Sequence, residues 1–244
     1  MPLDAATQLQ NSLRTQSGPV PSLAWLRAVV PPRPIPLAPL IATARTRLLA
    51  ADLTSPGLLD PVYAEHHRLP RQAINNPEID TFRIEQDVVV QIIDIESISR
   101  SRWEQVEEME AIERGEQTRG REVIRLPVGE DGDENQNGDG MQPSAATTAA
   151  TVVTGIAKNA THKLVVQDCK GTKVYAIELA RLDWLAIGTT RIGEKMLLKR
   201  DTQIARGVLM LEPENCTLLG GRVEQWHKSW VESRLARLKA GTGT

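Results

Sequence analysis

His162-Lys-Leu-Val-Val-Gln-Asp-Cys-Lys-Gly-Thr-Lys-Val-Tyr-Ala-Ile-Glu-Leu179 is the stretch that decides the fold. Leu164, Val165 and Val166 mark a strand from His162 to Asp168, and Lys173 to Leu179 reads as a second, with Val174 and Ala176 opposing Tyr175 and Ile177. Cys169-Lys170-Gly171-Thr172 supplies the turn between them, so the segment predicts a hairpin. Upstream, Phe82 to Ile95 is rich in Val and Ile and free of Pro and Gly, which predicts one long strand buried on at least one face. Downstream come a short helical piece around Leu182, Trp184 and Leu185, then strands at Glu194–Lys199 and Gly207–Leu211. Five strands with a helical piece between the third and fourth suit a small five-stranded barrel of the OB type, mainly β with helices around it.

The flanks are helical. Residues 1–80 form an N-terminal helical region. Ser22 is placed to cap a helix through Trp25, Leu26, Val29 and Val30, which Pro31, Pro32, Pro34, Pro36 and Pro39 then stop. Leu40, Ile41, Ala44, Leu48, Leu49 and Leu53 have helical spacing, while Asp60 to Glu78 reads as loop. The barrel domain occupies 81–240 and ends in a helix after Gly220-Gly221, with Val223, Trp226, Trp230, Val231, Leu235 and Leu238 on one stripe. Trp226 and Trp230, one turn apart, are expected to pack together on the barrel.

Between the first and second strands lies an insertion, 96–161. Ser101-Arg102-Trp103-Glu104 fits a capping box, opening a helix to about Gly115 with Trp103, Val106, Met109 and Ile112 on one stripe and Glu104, Glu107, Glu108, Glu110 and Glu113 on its other faces. Then Arg119, Arg121 and Arg125 reverse the sign of the charge. Residues 127–160 run through Gly129-Glu130-Asp131-Gly132-Asp133 into an Ala/Thr tract and read as disordered. Asp133 to Asp139 imitates the start of a calcium loop, but its twelfth position is Ser144, not the bidentate Glu such a loop needs.

Composition narrows the function. Across 244 residues the formal charge is −2, so any nucleic-acid contact has to come from a local basic patch. Aromatic residues are 3% of the chain, too few for the stacking platforms a single-strand binder needs. Cys169 and Cys216 form no C-x-x-C and no zinc spacing with His66, His67, His162 or His227, and read as apolar thiols in a reducing compartment. No phosphate-cradling glycine loop and no nucleophile elbow occurs, so neither a cofactor, a metal nor a catalytic constellation is expected. No apolar run is long enough for a membrane span.

Gly207-Val-Leu-Met-Leu-Glu-Pro-Glu-Asn-Cys-Thr-Leu-Leu-Gly-Gly221 closely resembles the end of the barrel in the RecQ-mediated genome instability protein 1 family. In that family a G-V-L-x-L strand leads through P-E-N to a double glycine and a helix. Trp25-Leu26 with Leu48-Leu49-Ala50-Ala51-Asp52-Leu53, and Val89 to Ile95 with Ser99-Arg-Ser-Arg-Trp103, resemble its helical region and the entry to its insertion. The resemblance covers roughly 22–126 and 161–239, and the compact single-barrel chain looks like the fungal form. It implies a non-catalytic accessory subunit of topoisomerase III, a type IA topoisomerase, working with a RecQ-family helicase in the nucleus to dissolve double Holliday junctions. DNA contact would be weak or made through the complex. It also implies that the insertion reaches the topoisomerase gate, through Arg100, Arg102, Trp103, Glu104, Glu107, Glu108, Arg114, Arg119, Arg121 and Arg125, with Lys195 a candidate on the barrel interface. Two other readings compete: an independent single-stranded DNA-binding OB-fold protein, and an enzyme with an unrecognised site.

Overall fold

The computed structural model describes residues 4–31, 36–115 and 160–241. The sequence expectations for 127–159, the calcium-loop imitation, and Arg119, Arg121 and Arg125 fall outside them. The helical region contains α1 (Ala5–Arg14), α2 (Leu23–Val29), α3 (Leu37–Ala50), α4 (Pro61–His66) and α5 (Arg71–Ile74). Ser22 caps α2 as its spacing suggests, accepting from the Trp25 N–H at 3.1 Å. Two proline readings need correction. Pro39 sits in the first turn of α3, where its missing N–H has no partner to lose, and Pro61 opens α4 at a position that favours proline. The stretch read as loop, Asp60 to Glu78, therefore holds two short helices.

The barrel comprises β1 (Thr81–Arg83), β2 (Val88–Ser97), β3 (His162–Asp168), β4 (Lys173–Glu178), β5 (Lys195–Leu198), β6 (Gln203–Ala205), β7 (Val208–Leu211) and β8 (Cys216–Gly220). The hairpin of the opening stretch is present: β3 and β4 pair antiparallel, with Val165 opposite Tyr175. The order β1-β6-β7-β4-β3-β2-β5-β8 curls because β7 and β8 are consecutive in sequence, yet β7 pairs with β4 and β8 with β5. The expected fifth strand is present as β7, and Glu212-Pro-Glu-Asn215 turns the chain from it into β8, a strand not expected from the sequence. Asn215 pins this corner: its amide donates to the Met210 carbonyl at 2.9 Å, its side-chain oxygen accepts from the Glu212 N–H, and its carbonyl accepts from the Lys199 N–H.

Three further expectations are revised. The long first strand is two, β1 and β2, because the chain turns at Ile84–Asp87, where Ile84 bonds with Thr202 and Asp201 and Asp87 accepts from Arg200. β6 and β8 bring the strands among the described residues to eight rather than five. The piece at Leu182–Leu185 is a turn, although both leucines are buried as a helix would have buried them. The last helix, α7 (Glu224–Ala240), packs by Trp230 and Leu238, while Trp226 is half-buried and Val231 half-exposed. Leu48, Leu53, Leu58 and Leu59 pack on Val89 and Leu197, joining the helical region to the barrel.

That junction changes the reading of Lys195. As an interface candidate it would need an exposed ammonium, but its exposure is 0%. All four residues of β5 are buried because the helical region covers the face that alternation leaves to solvent. The Lys195 ammonium donates to the Gly193 carbonyl at 2.7 Å. Burial pushes its pKa down to about 8, and the Asp52 carboxylate only partly offsets that. Burial also acts on Asp52, but bonds from Gln91 and Thr54 outweigh it and hold that carboxyl below its usual range. A buried lysine with a lowered pKa destabilises the fold while it is charged. Below pH 8 both folded and unfolded chains carry the proton and the penalty is complete. Between pH 8 and the unfolded lysine range the unfolded chain binds more protons, so this contribution improves as pH rises. Lys195→Met is therefore expected to stabilise the protein at pH 7 by about 1–3 kcal/mol, less whatever the Gly193 carbonyl loses with its donor. The advantage over the parent should shrink between pH 8 and 10. Urea melts of both proteins across that range test it. The comparison cancels Cys169 and Cys216, whose thiols burial pushes up to about 11 and whose effect on stability runs the other way.

Candidate protein-interaction site

The insertion leaves β2 at Ser97 and forms α6 (Arg102–Glu113). The expected capping box is there: Ser101 Oγ accepts from the Glu104 N–H at 3.2 Å, and the Glu104 carboxylate accepts from the Ser101 N–H at 2.9 Å. Glu104 thus spends its charge on the helix start. Arg100 pairs with Glu108 at 2.8 Å, across the same end of the helix. Arg102 reaches Glu96 of β2 and the Gly241 carbonyl beyond α7. Arg114 lies 3.6 Å from Glu110, and Lys239 of α7 lies 2.7 Å from the same carboxylate, which that lysine holds below the usual carboxylate range.

These contacts fasten α6 to α7 and to the barrel. Its inward residues differ from the expected stripe. Gln105 and Ala111 are buried and Val106, Met109 and Ile112 are half-buried, but Trp103 is 63% exposed. Trp103 stands two residues from Gln105, roughly 200° around the helix, so a face centred on Gln105 turns the tryptophan outward. Gln105 earns its burial by donating to the carbonyls of Ser97 and Arg100. Apolar counting missed it because glutamine is not apolar; its place one turn after the Ser101 cap was the available signal. The structure therefore gathers Arg100, Arg102, Trp103, Glu104, Glu107, Glu108 and Arg114 on one small helix and its entry, and leaves Lys195 inside the barrel junction.

The outer face of the barrel offers a second surface. Lys163, Val165, Tyr175, Ile177, Val208 and Met210 are neighbours by strand register and none is buried. Tyr175 is 55% exposed, with the Lys163 ammonium 5.3 Å from its ring centre. One ring with one cation is a thin platform for a nucleic-acid strand, which stacks successive bases. Elsewhere ionisable groups serve structure. His162 and Glu178 are a buried pair at 2.9 Å, and the same carboxylate accepts from the N–H groups of His162 and Leu182.

A helical region docked on an OB-fold barrel, with an inserted helix strapped to the C-terminal helix, defines a protein of the OB-fold class. The chain belongs to the RecQ-mediated genome instability protein 1 (RMI1) family. The profile described as "RMI1, N-terminal OB-fold domain" matches residues 69–234, and "RMI1, N-terminal helical domain" matches 13–56. RecQ-mediated genome instability protein 1 of Schizosaccharomyces pombe is 31% identical over 192 residues, spanning 77% of this chain and 74% of that protein.

Proposed function

We propose that the chain is the non-catalytic scaffold subunit of a nuclear complex of topoisomerase III and a RecQ helicase, stimulating decatenation and the dissolution of double Holliday junctions through its insertion. Membership of a family named for RecQ-mediated genome instability supports the helicase link. The observation that carries the rest is the placement of α6. Its back is fixed by Gln105, Glu110 and Arg102, while Trp103 is left 63% exposed beside Arg100 and Arg102. An exposed tryptophan among arginines on a held helix has the composition of an interface anchor rather than of a solvated excursion. A topoisomerase gate is a protein cavity built to pass anionic DNA, so a mixed-charge element suits its walls. The alternative, independent single-stranded DNA binding, has Tyr175 as the one exposed ring among the described barrel strands. Tight binding of the isolated chain to single-stranded DNA would favour it.

Replacing 99–126 with a short Gly/Ser bridge separates binding from stimulation. The insertion lies between β2 and β3, so their pairing is expected to survive. The variant should still co-purify with topoisomerase III, lose stimulation of decatenation, and change simple relaxation far less. Stimulation equal to that of the intact chain would remove the insertion from the mechanism.

A further inference from the structure

A groove separate from the insertion runs between α7 and the outer surface of the barrel. It holds about 620 Å³, and its lining includes the apolar side chains of Ile93, Trp226 and Trp230 and the charged ones of Asp52, Lys173 and Arg237. That volume suits a few residues of an extended chain.

The balance of hydrogen-bonding groups says what fits. The acids in and beside the groove are already satisfied. Asp52 accepts from Gln91 at 2.7 Å, and from the Thr54 N–H and hydroxyl at 2.9 and 2.8 Å. Asp94 accepts from the Trp230 indole at 2.5 Å and pairs with Arg237 at 3.1 Å. The donors are not. Lys173 is exposed and, among the described residues, has no ion-pair partner. The Trp226 indole N–H has no acceptor among the described residues, and since no side-chain nitrogen or oxygen there is both buried and unpartnered, it is open to solvent on a residue that lines the groove. The site therefore offers an apolar wall, unspent donors and acids whose oxygens are already taken. Its complement is a ligand rich in acceptors, negatively charged, and bearing a large apolar side chain.

We propose that this groove docks a short acidic segment of a partner protein, carrying one aromatic or large aliphatic residue against Trp226 and Ile93 and a carboxylate against Lys173. A basic segment is disfavoured because exposed Lys173 would repel it, Asp94 is already paired with Arg237, and the Asp52 charge is already met by Lys195. A nucleic-acid strand fits less well. Of the two cations Arg237 is already paired with Asp94, which leaves one for consecutive phosphates, and Trp230 is buried edge-on to Asp94 rather than open for stacking.

The experiment labels the tryptophan indoles of the whole chain with nitrogen-15 and titrates three probes. These are a blocked pentapeptide Asp-Asp-Phe-Asp-Leu, the same peptide with each Asp replaced by Lys, and a thymidine pentanucleotide. The acidic peptide is expected to shift the Trp226 and Trp230 signals in a saturable way and to leave Trp25 and Trp103 in place. Lys173→Glu, an exposed position that should not disturb folding, should weaken that binding by about fivefold or more, as loss and reversal of one partly exposed charge pair requires. Trp226→Leu should weaken it while the far-ultraviolet spectrum is unchanged. The proposal is overturned if the acidic peptide produces no saturable shift at millimolar concentration, if the lysine peptide or the oligonucleotide binds as well or better, or if Lys173→Glu leaves the affinity unchanged.

Discussion

Gly221→Ala is expected to be the most damaging single substitution at an exposed-looking, chemically bland position, costing more than about 4 kcal/mol. Two separate effects combine. Gly221 has φ +89°, a left-handed conformation that costs a residue with a side chain about 1–3 kcal/mol. In addition, a β-carbon there would lie 2.7 Å from the carbonyl carbon of Leu49 and overlap its oxygen. Both obstructing atoms are backbone at the end of α3, so no side-chain rotation relieves them. Leu48 and Leu53 on either side hold that end against Val89 and Leu197. The chain must either lift the helical region from the barrel or distort the exit of β8. Gly57→Ala is the control: φ is +74° and nothing lies within 4 Å of the added carbon, so it should show the conformational share alone. Urea unfolding of the two variants checks this. If Gly221→Ala melts no earlier than Gly57→Ala, the close approach to α3 is not what the double glycine serves.

The same position shows how much the sequence could reveal. Gly207 to Gly221 carried the family resemblance, and its parts have physical reasons visible only in three dimensions: Asn215 bonds across the corner between β7 and β8, and Gly221 lets α3 approach. Local features were legible because their causes are local. The Ser22 and Ser101 caps, the β3–β4 turn and the α3 periodicity each depend on residues within a turn or two of one another. What failed depends on distant chain. No glycine or proline marks the break at Ile84–Asp87; Thr202, Asp201 and Arg200 impose it. Leu182 and Leu185 have helical spacing, yet the turn that buries them is fixed by Thr190, whose hydroxyl accepts from the Ala186 N–H. The family resemblance makes Lys195 an interface candidate, and its burial becomes visible only once the helical region is docked. At the candidate site the capping box was read correctly and the helix face was not. The cap fixes where α6 begins, whereas its rotation is set by Gln105 and by α7.

Trp230→Ala should cost about 3–5 kcal/mol, the range for truncating a buried aromatic ring. The expectation from the sequence gave Trp226 and Trp230 equal weight. The structure divides them: Trp230 is 8% exposed, and Trp226 is only half-buried, so its truncation should cost less. Trp230 also carries a polar duty. Its indole N–H donates to Asp94 at 2.5 Å, Asp94 in turn pairs with Arg237, and the Arg237 and Arg234 guanidinium groups lie 5.4 and 5.5 Å from its ring centre. Trp230→Phe keeps most of the ring and removes the donor, so it should cost about 1–3 kcal/mol, the expense of leaving one carboxylate oxygen without that partner. The order Ala worse than Phe, and Phe worse than the parent, should appear in denaturant midpoints. The consequence for the insertion is separable from stability. Lys239 and Gly241, at the far end of α7, are what Glu110 and Arg102 of α6 hold on to. Loosening α7 at Trp230 therefore frees the back of α6 while leaving Arg100, Trp103 and Glu108 chemically intact. At a temperature where Trp230→Phe is still fully folded, amide exchange in α6 should quicken, and, on the proposed function, stimulation of decatenation should fall more than binding to topoisomerase III does. Unchanged exchange in α6 would mean that the helix is held by the barrel alone, and that α7 has no part in aiming Trp103.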